Sequence, residues 1–227
     1  MNYRLVPITI TLLLLLLSNA AGAAFDPGKL GKSTVRITIK EAGKIRSAAS
    51  GFAWQKPTWI VTSLHVMHRG ESAETIVEFN GHKRRATVLK VLPKADLVLL
   101  QINRPIKGLV PLVHYNVVKP PWDAPIIALG YNSGATGMMT RKLRKGYGAP
   151  EVLKGLLPAK DRDELAAIKI PDIELDIYYL DGSLLPGFSG SPVVDAKGVL
   201  IGIGNGGLEN GASNVSWVIP VRFLDEL

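Results

Sequence analysis

Between Thr34 and Ile102 the chain keeps repeating one device, a short strand-like run followed by turn residues. The run TVRITIK sets Val35, Ile37 and Ile39 on one face and Thr34, Arg36, Thr38 and Lys40 on the other. That period of two belongs to a strand with one apolar side. Further runs follow at 48–54, 58–63, 75–79, 84–91 and 96–102, so about six strands precede the first break. Such spacing points to an all-β barrel and against a helical bundle or a doubly wound sheet. The break, NRPIKGLVPLVHYNVVKPPWDAP, holds five prolines and no sustained period, which suits a connector over about 104–123. A second set then begins with IIALG, GMMTRKLRKG, DIELDIYYL, SPVVD, VLIGIG and VSWVIP. The expected layout is one barrel over about 34–103 and another over about 124–220, with VRFLDEL closing as a short helical turn. One segment, 150–171, breaks the plan. It is charged and partly helix-forming, and reads as an inserted surface loop with a short helix, functional or mobile by its length.

The first residues read as an address. Arg4 supplies a positive start, Val6 to Leu17 form an apolar run ending in six leucines, and Ala21-Gly22-Ala23 offers small residues where a signal peptidase cuts. Cleavage is expected after Ala23, leaving 24–227 as the mature chain. The alternative, an uncleaved anchor, has an apolar run short of the ~20 residues that span a bilayer. Export to the periplasm or medium follows. There is no cysteine in the 227 residues, so the fold rests on its core alone. The formal charge of +8 becomes +7 once Arg4 leaves with the leader. It is concentrated at Lys83-Arg84-Arg85 and at Arg141-Lys142 with Arg144-Lys145. Such clusters allow weak contact with anionic surfaces. They lack interleaved aromatic residues, so solvated faces are expected and nucleic acid is not.

Chemistry concentrates in three places. LLPGFSGSPVVD puts Pro186, Gly187, Ser189, Gly190, Ser191 and Pro192 in one turn ahead of an apolar strand. The plain reading is a tight turn, and the sharper one is a serine held out as a nucleophile. A nucleophilic serine needs a base and a group to orient that base. WIVTSLHVM ends a strand at His65, and KADLVLLQI opens one at Asp96, an acid poorly placed for solvent that calls for a buried partner. In the order His65, Asp96, Ser189, these motifs resemble those of the chymotrypsin-like (trypsin-fold) serine peptidases. The likeness is greatest to cysteine-free bacterial exported members such as the HtrA-type protease domain.

The resemblance implies two six-stranded antiparallel barrels with the site in the cleft between them. It implies Ser189 as nucleophile, His65 as general base and then acid, and Asp96 as the group that fixes the histidine tautomer. The N–H groups of Gly187 and Ser189 would form the oxyanion hole. Ser183 would lie near the base of the specificity pocket, with Asn205, Gly206 and Gly207 in its wall and on the strand that pairs with substrate. A serine floor without a carboxylate favours an apolar or aromatic side chain, although the nearby Asp181 weakens that inference. Ser191 stands where the family has glycine or serine and is not expected to be the nucleophile.

Phe188 stands where many animal members carry the aspartate that receives a new N-terminal ammonium group. Activation through that ion pair is therefore not expected. The chain ends at Leu227 with no PDZ-like region following, which weakens an HtrA-type quality-control role. The expected function is an exported serine endopeptidase acting on polypeptides, with no cofactor and no metal. An inactive trypsin-fold binding protein and an esterase using the same three residues stay open. His68, three after His65, gives an H-x-x-H spacing with no third ligand evident, so a surface histidine is expected. Asp172, Glu174 and Asp176 alternate as an exposed strand face would, with cross-strand partners expected in Arg141 or Arg144 and a calcium site as the lesser reading.

Overall fold

The computed structural model describes residues 25–67, 73–133, 135, 137–147 and 151–227. The leader and His68 lie outside the described residues. Strands β1 (Thr34–Glu41), β2 (Lys44–Ala53), β3 (Trp59–Ser63), β4 (Glu74–Phe79), β5 (His82–Leu92) and β6 (Leu97–Ile102) form one closed barrel in the order β1-β2-β3-β6-β5-β4. Strands β7 (Pro125–Tyr131), β8 (Met138–Lys145), β9 (Tyr178–Asp181), β10 (Pro192–Asp195), β11 (Leu200–Gly207) and β12 (Val215–Pro220) form a second, ordered β10-β11-β12-β9-β8-β7. Every pairing between strands within the two barrels is antiparallel. The all-β, double-barrel expectation holds.

The strands sort their apolar residues into three cores. Val35, Ile37, Ile60, Val77, Val98 and Leu100 fill the first barrel, and Ile126, Ala128, Leu143, Leu180, Val193 and Ile201 fill the second. A third core joins the barrels and contains Phe52, Val61, Leu97, Leu99, Val194, Leu200, Ile203 and Ile219. The unbroken run Leu97–Leu100 is thereby explained. Alternate residues enter the barrel interior and the shared core, so the strand is apolar on both faces. The shared core matters for function because it fixes the cleft walls, one contributed by each barrel.

Four expectations change. DIELDIYYL is a strand only from Tyr178 to Asp181. Upstream of it, the Asp172 carboxylate accepts the Glu174 N–H at 2.9 Å, an Asx-type turn that competes with extended pairing. Leu175 and Ile177 still point inward, which is why the alternation looked like a strand. The acids find partners other than Arg141 and Arg144: Glu174 pairs with Lys154 and Asp176 with Arg222, each at 2.7 Å.

Segment 150–171 is also more than a surface loop. It carries helices α1 (Leu153–Leu156) and α2 (Ala159–Ile168), and its Leu153 and Leu157 are buried in the shared core. The basic cluster near 141–145 is not wholly solvated either. Lys145 has no exposed side-chain surface, pairs with Glu151 at 3.5 Å and lies 4.0 Å from the Trp122 ring centre.

Candidate active site

The site is assembled by strand pairing. Antiparallel β3 and β6 place Ser63 opposite Leu97, so the residues just past that pair, Leu64 and His65 on one chain and Asp96 on the other, meet at the barrel edge. The Leu64 N–H donates to the Asp96 carbonyl at 2.8 Å, and the His65 N–H donates to Asp96 Oδ1 at 2.7 Å. Asp96 holds φ of 53°, a left-handed conformation that costs a non-glycine residue energy and turns the carboxylate back toward His65. His65 Nδ1 lies 2.5 Å from Asp96 Oδ2, and His65 Nε2 lies 3.0 Å from Ser189 Oγ. The three residues therefore form one continuous relay.

Asp96 has no exposed side-chain surface, whereas the His65 ring is 43% exposed at the cleft. A buried carboxylate is tolerable only when its oxygens are occupied. Here three N–H groups occupy them: the His65 backbone, the His65 ring and the Asn205 side chain, whose Nδ2 donates to Asp96 Oδ2 at 2.6 Å. Asn205 is fixed in turn by the Trp217 indole N–H, which donates to its Oδ1 at 2.9 Å.

The serine turn spans β9 and β10, and its carbonyls are each held. The Pro186 carbonyl accepts from the Ser133 N–H at 2.9 Å, and the Gly187 carbonyl from the Ser50 hydroxyl at 2.7 Å. The Phe188 carbonyl accepts from the Ser191 N–H at 2.9 Å, and the Ser189 carbonyl from the Ser50 N–H at 3.0 Å. In a trans peptide the N–H points opposite to the preceding carbonyl. Holding the carbonyls of Pro186 and Phe188 thus fixes the orientation of the N–H groups of Gly187 and Ser189, and neither donates to an acceptor among the described residues. Gly187 has φ of 97°, and a Cβ there would stand 2.4 Å from the Tyr131 carbonyl, so the turn requires glycine. Phe188 is fully buried in the second-barrel core and supports the turn from below. Ser191 Oγ is buried and has no hydrogen-bond partner among the described residues.

A cavity of about 470 Å³ opens beside the serine, lined among others by His65, Ser189, Leu184, Leu185, Pro186 and Trp217. Gly206 and Gly207 form one wall of it, and a Cβ on Gly206 would lie 2.3 Å from the Trp217 ring. Asn205 also lines it, but its amide is turned to Asp96 and its carbonyl to Ser189 Oγ at 3.0 Å. Ser183 is buried outside that lining, its carbonyl accepting from Arg141 Nε at 3.1 Å. Sequence reasoning missed Ser50, which accepts from the Tyr131 N–H at 2.8 Å while donating to Gly187. The only local trace of it is a small polar residue inside an apolar strand.

The profile of the trypsin-like peptidase domain matches residues 49–203. The chain belongs to the trypsin-like peptidase family. Among curated relatives, the probable periplasmic serine endoprotease DegP-like of Brucella suis is 27% identical over 173 residues, 75% of this chain and 30% of that protein. Protease Do-like 1, chloroplastic, of Arabidopsis thaliana is 27% identical over 178 residues, 78% of this chain and 37% of that protein. This trypsin-like domain thus spans about a third of the length of either relative. The same fold occurs in the active form of the Rv3671c protease from M. tuberculosis, with a TM-score of 0.68 at 19% identity over 88% of this chain and 81% of that one. It occurs also in the HtrA-type protease AlgW, with a TM-score of 0.68 at 20% identity over 86% of this chain and 58% of that one.

Proposed function

We propose that this trypsin-like domain is a serine endopeptidase that hydrolyses polypeptides through an acyl-enzyme. The carrying observation is the unbroken relay from buried Asp96 through His65 to Ser189 Oγ. A neutral His65 donates Nδ1–H to Asp96 and accepts the Ser189 proton at Nε2 as Oγ attacks the scissile carbonyl. The carbonyl oxygen gains negative charge and is stabilised by the N–H groups of Gly187 and Ser189. The imidazolium then gives its proton to the leaving amine, the C–N bond breaks, and Ser189 carries the acyl group. Water activated by His65 repeats the sequence and frees the acid.

Export is part of the same reading. Its support is the leader-like sequence of residues 1–23 and the periplasmic designation of the Brucella relative. N-terminal sequencing of protein secreted across an inner membrane is expected to begin at Ala24. A mature chain still starting at Met1 would overturn the leader assignment.

The decisive experiment uses a fluorophosphonate probe and a peptide-library digest. Wild type is expected to be labelled once and to cut peptides. Ser189→Ala is expected to fold and stay unlabelled, whereas Ser191→Ala keeps its label. Labelling that survives in Ser189→Ala overturns the nucleophile assignment. Absence of labelling in wild type supports a binding protein instead, and labelling with ester but not peptide cleavage supports an esterase.

A further inference from the structure

Helix α2 lines the cleft beside the catalytic residues. None of its residues is fully buried. Asp161, Glu164, Leu165 and Ile168 line the same cavity as His65 and Ser189. The pairs 161/164 and 165/168 are three residues apart and 161/165 and 164/168 four apart, which sets all of them on one side of the helix. Leu165 leans on the shared core, and Ile168 is 62% exposed. The Asp161 carboxylate has no hydrogen bond or ion pair among the described residues. Glu164 has one contact, with Lys160 at 3.9 Å, and both side chains are largely exposed.

The rest of the lining decides what this face suits. The same cavity is lined by Leu157, Ile170, Pro171, Leu184 and Leu185 and by Gly206 and Gly207. Among the described residues no lysine or arginine lines the cavity, although the whole chain carries +8. Asp96 is already occupied by His65 and Asn205, which leaves Asp161 and Glu164 as the uncommitted charges. The space is therefore apolar at its base and anionic at one rim. A side chain that matches both has a long aliphatic stem and a cationic head.

We propose that α2 is a specificity-determining wall that selects polypeptides with a lysine or arginine at one fixed position near the cleaved bond. The stem lies along Leu165 and Ile168, and the cation reaches the carboxylates of Asp161 and Glu164. The selection comes from the 150–171 insertion and is separate from the region of Ser183. It rests on the peptidase reading above, and its test keeps the two apart.

Cleavage sites are mapped in a peptide library for wild type, for Asp161→Asn with Glu164→Gln, and for Asp163→Asn. Asp163 is on the same helix but does not line the cavity, so its variant controls for net charge and helix stability. Wild type and Asp163→Asn are expected to show enrichment of lysine and arginine at one position. The double variant is expected to lose roughly tenfold in kcat/KM on such substrates and little on their alanine counterparts, as two partly solvated ion pairs predict. The difference between basic and alanine substrates should shrink as salt rises. Enrichment that is absent in labelled wild type, or that persists in the double variant, overturns the proposal. Should wild type not be labelled at all, the peptidase reading fails by itself. The wall is then tested by fluorescence anisotropy with Ser189→Ala and a lysine-containing peptide against its alanine analogue, where equal affinities reject it.

Discussion

Asp96 shows how one buried side chain organises a site. Its carboxylate has no contact with water and accepts three N–H groups, so losing one donor leaves part of a charge unsatisfied. Asp96→Asn is expected to lower kcat by about 10⁴-fold, because the amide can no longer hold the working histidine tautomer. Asn205→Ala removes one hydrogen bond to a charge, worth about 1.5 kcal/mol or more, and should lower kcat by about tenfold. In both variants KM for a peptide is expected to stay within about twofold, since neither change alters the oxyanion donors. Steady-state kinetics on one peptide substrate checks this, and a rise in KM alone would reassign Asn205 to the substrate wall. His65, Asp96 and Ser189 were legible through their order and motifs, which resemble those of the trypsin-fold peptidases; a strand end or a turn alone did not single out any one of them. The sequence could not make Asn205 legible as the partner of Asp96, or Ser50 as the clamp on Gly187. Those contacts join residues 109 and 137 positions apart, and no local period encodes them.

Elements were legible wherever burial follows a period. The first-barrel strands could be read because Val35, Ile37 and Ile39 alternate with polar residues along a half-buried surface. The 150–171 segment could not, because Leu153 and Leu157 anchor it through contacts with a core built from distant strands. Its entry is also held electrostatically. Glu151 pairs with buried Lys145 at 3.5 Å and with Lys119. Burial alone would raise the Glu151 pKa, but the hydrogen bonds and charges of the two lysines outweigh it and hold the pKa below the usual carboxylate value. A depressed carboxylate stabilises the fold above its unfolded pKa, and that contribution is lost as pH falls through the folded value. Glu151→Gln is therefore expected to melt earlier than wild type at neutral pH. The gap should close as pH drops below about 4. Thermal melts across pH check this, and a gap that stays constant with pH would assign the loss to packing.

For the molecule as a whole, the question is what completes the serine turn. Its carbonyls are already held by Ser133, Ser50 and Ser191, and Phe188 fills the space beneath it without any exposed surface. An N-terminal ammonium group brought there would meet an aromatic ring and no carboxylate, at the full cost of burying a charge. The segment ahead of β1 is engaged elsewhere. Phe25 packs on the turn at Gly198, Asp26 caps the short helix Pro27–Gly31 by accepting the Gly28 N–H at 2.8 Å, and Leu30 is buried in the shared core. This segment is therefore part of the folded domain. Chains starting at Ala24 and at Asp26 should react with a fluorophosphonate at equal rates. A chain starting at Lys32 loses Leu30, which should cost about 2–3 kcal/mol of stability and lower the melting temperature by several degrees, without accelerating labelling of the folded fraction. Labelling rates measured well below each melting point decide the matter. A large rise at any one new N-terminus would mean that an ammonium group does order the turn, and Phe188 would have to move aside to admit it.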